Sequence, residues 1–174
     1  VQTIAAWEYK DKDSAPSSLP AGATSGSGQL NVTGATYTGY SSKSLAANNW
    51  EEEGSWTISE INAEKYENLT FSASLRSSNT GAKNFQLEYS LDKGQSWMAV
   101  DGGAVEITST NLTQLYKDVK LPAELSGKNF TLRVKKVGTT SVNGGTVAPT
   151  GASNINHIVI KGTTTEDGGE TTET

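Results

Sequence analysis

Cysteine is absent from the 174 residues, and histidine and methionine each occur once. Disulfide frameworks, cysteine-rich zinc sites and thiol nucleophiles are therefore excluded, and a lone imidazole supports neither a histidine-rich metal cage nor a conventional triad. No apolar run approaches the roughly 18 residues that a bilayer-crossing helix needs. Nucleophile elbows, glycine-rich phosphate loops, paired-histidine zinc motifs and twelve-residue calcium loops are also missing. Basic charge is scarce: of the net −5, Glu166, Asp167, Glu170 and Glu173 contribute four near the end, which leaves the body close to neutral. Without a basic footprint, neither nucleic acid nor insertion into an anionic membrane is expected. What remains is a chain in which serine and threonine make up about a quarter of the residues, glycine occurs 18 times and charged residues are 19%. That composition suits short strands and turns better than helices.

Period-2 alternation bears this out. Leu69, Phe71, Ala73 and Leu75 share one strand face, Phe85, Leu87, Tyr89 and Leu91 another, and Phe130, Leu132 and Val134 a third. Weaker strands are expected at 3–9, 29–33, 55–61, 104–107, 114–121 and 155–160, with a short helical turn over 60–67. Nine or ten strands without a propeller-length repeat predict an all-β, two-sheet antiparallel β-sandwich of jelly-roll type over residues 1–162. Residues 163–174, devoid of large apolar side chains, read as a Thr/Glu/Gly-rich disordered linker. The start at Val1 has no basic stretch followed by an apolar one, so the expectation is an exported module, its leader removed, joined by the linker to a longer chain.

Ser90-Leu-Asp92-Lys-Gly94-Gln-Ser96-Trp97 fits the Asp-box pattern. Asp92 is expected to accept turn amides and Gly94 to supply a positive φ, with Trp97 packing as core rather than as a sugar platform. His157, between Ile155 and Val159, reads as structural. Glu51-Glu52-Glu53 reads as a solvated turn, because a glycosidase pair must face itself across a cleft. No cofactor or metal is assigned; calcium is the ion weighed, with Glu8, Asp11, Asp13 and Asn156 as candidate ligands. Asn31, Asn68, Asn111 and Asn129 begin Asn-X-Thr sequons, which arise readily in so Thr- and Asn-rich a chain; the missing cysteines favour a bacterial secreted or cell-surface protein.

The aromatics carry the remaining signal. Sugars present flat C–H faces ringed by hydroxyls, so a site needs a Trp or Tyr platform beside amides or charged hydrogen-bonders. Trp50, Tyr40 and Tyr37 are the candidate platforms, with Asn48, Asn49 and Lys43 as hydrogen-bonders; for Trp50, core packing is the alternative, and Trp7 and Trp56 are expected inside.

Ala6-Trp7-Glu8-Tyr9, Ala23-Thr24-Ser25-Gly26, Asn49-Trp50, the stretch Leu69 to Gly81, the Phe85 to Trp97 hairpin, Leu121-Pro122 and Ser153 to Gly162 together resemble the β-sandwich accessory modules of large exported bacterial proteins. These include carbohydrate-binding modules and domains attached to surface nucleases and phosphoesterases. Within that group the chain is similar to starch-adherence modules of gut Ruminococcus amylosomes. The resemblance implies a non-catalytic, monomeric module that holds starch or maltooligosaccharides, an α-glucan, by stacking on glucose rings. The alternative is a structural or protein-interaction accessory domain.

Overall fold

Residues that alternate apolar and polar can satisfy both the backbone and the core only by pairing as half-buried strands. A computed structural model describes residues 1–165. Its strands are β1 (Gln2–Trp7), β2 (Ala21–Gly22), β3 (Ser25–Gly26), β4 (Gln29–Thr33), β5 (Thr36–Ser41), β6 (Ser44–Asn48), β7 (Ser55–Asn62), β8 (Tyr66–Ser77), β9 (Asn84–Ser90), β10 (Met98–Glu106), β11 (Thr113–Lys120), β12 (Asn129–Lys136) and β13 (Ser153–Thr164), with a 3-10 turn at Ala123–Leu125. One sheet runs β11-β8-β13-β1-β3 and also carries β6 and β5; the other runs β10-β9-β12-β7-β4-β2. The strand pairs are antiparallel, which makes the fold the expected jelly-roll-type sandwich.

The three strongly alternating segments became β8, β9 and β12, and their apolar faces meet between the sheets. Trp7, Trp56, Tyr116, Phe71 and Phe85 are among the largest fully buried side chains. Phe71 and Tyr116 meet edge to face at 5.3 Å, a packing that aromatic quadrupoles favour. The Tyr116 hydroxyl donates to Gly103 O at 2.8 Å, and burial pushes its pKa well up.

On one flank of β13 the neighbour changes partway along. Ser153–Ile155 pair with β6, and Ile158–Gly162 pair with β1. His157 sits at the changeover with φ of 53°. Asn156 closes the gap: its Nδ2 donates to Tyr9 O and Lys43 O, and its Oδ1 accepts from Tyr9 N and His157 N. A buried amide thus replaces the ladder bonds that the fork would leave unmade.

Three expectations change. Residues 60–67 form no helical turn, because β7 runs to Asn62 and β8 starts at Tyr66. The β5–β6 hairpin is an additional pair of strands. Thr163 and Thr164, assigned from sequence to the linker, pair with Glu67 and Tyr66; the linker from residue 166 onward lies outside the described residues.

Candidate functional site

Trp50, the leading platform from sequence, is a core residue, only 7% exposed. Its indole meets Trp56 at 5.7 Å and Phe85 at 5.8 Å, both edge to face, and Nε1 donates to Ala47 O at 2.8 Å. The chain lets it in because residue 54 is glycine; a Cβ there would lie 2.7 Å from the ring. Trp50 is thus part of the core and offers no face for stacking.

The other five candidates lie on the β5–β6 hairpin and its exit, in the seven-stranded sheet. Tyr37 and Tyr40 are half-buried, and both hydroxyls donate to backbone carbonyls, Pro16 O and Tyr9 O. Burial raises both pKa values. Asn48 and Asn49 bond each other at 3.1 Å, and exposed Lys43 sits at φ of 64° in the hairpin turn. None of the six lines the groove described next. Of the calcium candidates, Glu8 Oε1 lies 3.2 Å from His157 Nδ1, Asp11 Oδ1 accepts from Ser14 N, Asn156 is committed to the β13 fork, and Asp13 is exposed. Among the described residues, no three His, Asp or Glu side chains gather as a metal-binding group.

The groove lies on the outward face of the six-stranded sheet. In β7 and β12, Trp56, Ile58, Leu132 and Val134 point inward, so Thr57, Ser59, Thr131 and Arg133 must point outward. These hydroxyls pave a depression of about 810 Å3, within the range of about 300–1,000 Å3 common for ligand clefts. One wall is the β9–β10 turn with Leu91, Lys93, Gly94 and Trp97; the other is Ser27 and Gly28. Glu60, Asn62 and Asn129 line it as well. Glu60 has φ of 58°, beside the irregularity where the β7–β12 register shifts, so the bulge turns this carboxylate outward.

Trp97 is held where it is by the Asp-box turn. Asp92 Oδ1 accepts from Ser96 N at 2.9 Å and from Gln95 N at 3.1 Å, while Oδ2 accepts from Ser96 Oγ at 2.6 Å. Ser90 Oγ donates to Asp92 Oδ1 and accepts from Gly94 N. The Ser96 bonds, with Ser90 and Gln95 adding to them, hold the Asp92 carboxyl down at about 2, below its ordinary 3.8. Gly94 takes φ of 89°, as expected of the motif. The expected burial of Trp97, however, does not occur. Its indole is half-buried on the groove wall, with the Arg133 guanidinium 4.2 Å from the ring centroid. Glu88, directly opposite on β9, fixes that guanidinium through Nε at 2.7 Å and Nη2 at 2.6 Å. Leu91, expected inward, is 41% exposed because β9 ends at Ser90; Met98 beside Trp97 is 60% exposed. The combination is a rigid aromatic ring and an apolar rim above hydroxyls, amides and charges of both signs.

No protein-family profile matches the chain, and no curated protein matches it in sequence. Solved structures match it in fold. A family 29 carbohydrate-binding module from Piromyces equi superimposes with a TM-score of 0.54 at 11% identity, over 92% of this chain and 89% of that one. A family 29 module complexed with cellulohexaose gives 0.48 at 13% identity, covering 91% of each chain. The N-terminal cellulose-binding domain of Cellulomonas fimi β-1,4-glucanase C gives 0.44 at 7% identity, over 77% and 88%. At 11% identity, what the Piromyces equi module shares with this chain is the sandwich fold itself.

Proposed function

We propose that this chain is a non-catalytic carbohydrate-binding module that holds a polysaccharide in the groove beside Trp97. The observation that carries the reading is the half-buried indole on the wall of a hydroxyl-paved groove, fixed by Arg133 and by the Asp-box turn. A pyranose ring laid on an indole buries its C–H face while its hydroxyls meet side chains at its edge. Thr57, Ser59 and Thr131 below, with Asn129, Glu60 and Lys93 around them, supply donors and acceptors in that position. The kinship of fold with the Piromyces equi carbohydrate-binding module supports the same reading. One carboxylate, Glu60, and one lysine, Lys93, balance in charge and suit an uncharged ligand. On the sequence resemblance we take the ligand to be an α-glucan, starch or its oligosaccharides, bound by a secreted or cell-surface bacterial protein of which this module is one part.

A shallow site trades water bonds for protein bonds, so affinity per module falls between about micromolar and about millimolar, raised by multivalency on a polymer. The test is retention on insoluble starch, cellulose and xylan. The wild type is expected to be retained on starch without releasing reducing ends, and equally so after treatment with a metal chelator. Trp97→Ala is expected to abolish retention while leaving Tm within a few degrees. Retention on another polysaccharide alone would correct the sugar assignment. Retention on none, or full retention by Trp97→Ala, would overturn the reading.

A further inference from the structure

A second depression, of about 310 Å3, adjoins the first, and Ser27 and Asn62 line both. Tyr66, Lys65 and Glu64 form its far side. Hydrogen bonds stitch the two together: Asn129 Nδ2, in the first groove, donates to Glu64 Oε2 at 3.1 Å, and Glu64 N donates to Asn62 Oδ1 at 3.0 Å. Tyr66 is half-buried and held at both backbone ends, its N–H donating to Ala63 O and its C=O accepting from Gly127 N, each at 3.0 Å. Its ring therefore stands on a fixed stretch of backbone, as Trp97 does on its turn at the other end.

Taking the Trp97 groove as a sugar site, we propose that the binding surface continues over the Ser27–Asn62 saddle to Tyr66, so that the ligand is an internal stretch of an extended polysaccharide with a second stacking point there. The polar groups between the two rings are the kind a chain of hydroxyl-rich residues needs along its edge: an amide at Asn62, a carboxylate at Glu64 and an ammonium at Lys65. A site confined to the Trp97 groove would be satisfied by a short oligosaccharide; a continuous one gains with chain length, because residues added at one end reach Tyr66 without a second loss of rigid-body freedom.

Calorimetric titration with maltotriose and maltohexaose, with cellotriose and cellohexaose in parallel, tests this. The wild type is expected to bind the hexaose of the accepted series about tenfold more tightly than the triose. Tyr66→Ala is expected to erase that advantage while leaving triose affinity unchanged; Tyr66→Phe is expected to keep it. In the wild type, NMR signals of the Tyr66 ring are expected to move with hexaose and not with triose, a readout that does not depend on how a variant folds. Hexaose and triose bound equally by the wild type, a length advantage surviving in Tyr66→Ala, or a Tyr66 ring unmoved by hexaose would each overturn the extension while leaving the Trp97 site intact. Undiminished hexaose binding by Trp97→Ala, or no binding of any of the four sugars, would remove the underlying reading and the extension with it.

Discussion

Trp50 and Trp97 both flank turns and both lie outside the strands, yet one is sealed in the core and the other lines a groove. The difference lies in the backbone around them. The chain from Glu51 folds back through Gly54, whose N–H donates to Glu51 O, and the missing side chain at 54 opens the space that the Trp50 indole fills. At the β9–β10 turn the Asp92 network holds the loop as a self-contained unit above the sheet, so Trp97 packs against Arg133 on the outside. Local hydrogen bonding, rather than the amphipathic pattern of the neighbouring residues, decides which indole meets solvent.

The contrast is sharpest in stability. Trp50→Ala removes a fully packed ring from a cluster with Trp56 and Phe85 and is expected to cost about 3–5 kcal/mol in denaturant unfolding. Trp97→Ala is expected to cost under about 1 kcal/mol. Equal costs would erase the distinction. Next in size is Asn156→Ala, which strands the Tyr9 and His157 N–H groups and two carbonyls at the β13 fork; about 2–3 kcal/mol is expected by the same measurement. Gly94→Ala forces a side chain into the left-handed region and is expected to cost about 1–2 kcal/mol, together with weaker sugar binding because the turn that carries Trp97 shifts.

The smallest effect is one of pH. The folded-state pKa of Asp92 lies below its ordinary value, so the carboxylate contributes stability above about pH 4 that is lost as pH falls through about 2. Because Asp92 sits in a surface turn, the effect is expected as a loosening of that turn, read in Trp97 fluorescence, and Asp92→Asn is expected to abolish that transition in an acid titration.

The sandwich was legible because β8, β9 and β12 alternate cleanly, and that alternation reports which face is wet. The β5–β6 hairpin was missed because neither segment sustains an apolar–polar alternation: in Thr36–Ser41 the Thr–Tyr pattern breaks at Gly39, and Ser44–Ala47 are buried one after another. The Asp-box mechanics were readable from residue types alone, since a serine, an aspartate and a glycine at that spacing can close only a few turns. The site was not. Its floor comes from β7 and β12, far apart in sequence, and Arg133 meets Trp97 only once β12 is placed beside β9. One signal was available: Trp97 sits at the far end of a turn motif that stands off the sheet, whereas Trp50 precedes a glycine that leaves room for it.

The central claim concerns one ring, and the four tryptophans allow it to be isolated. Trp7 Nε1 donates to Ala21 O, Trp50 Nε1 donates to Ala47 O, and Trp56 Nε1 is buried without a partner, all inside the fold. Each indole N–H gives its own NMR resonance. On titration with maltohexaose, or with cellohexaose should that be the sugar retained, the Trp97 resonance is expected to shift along a saturating curve while the other three hold still. Saturable binding that leaves Trp97 unmoved, or that moves Trp50 instead, would contradict the account.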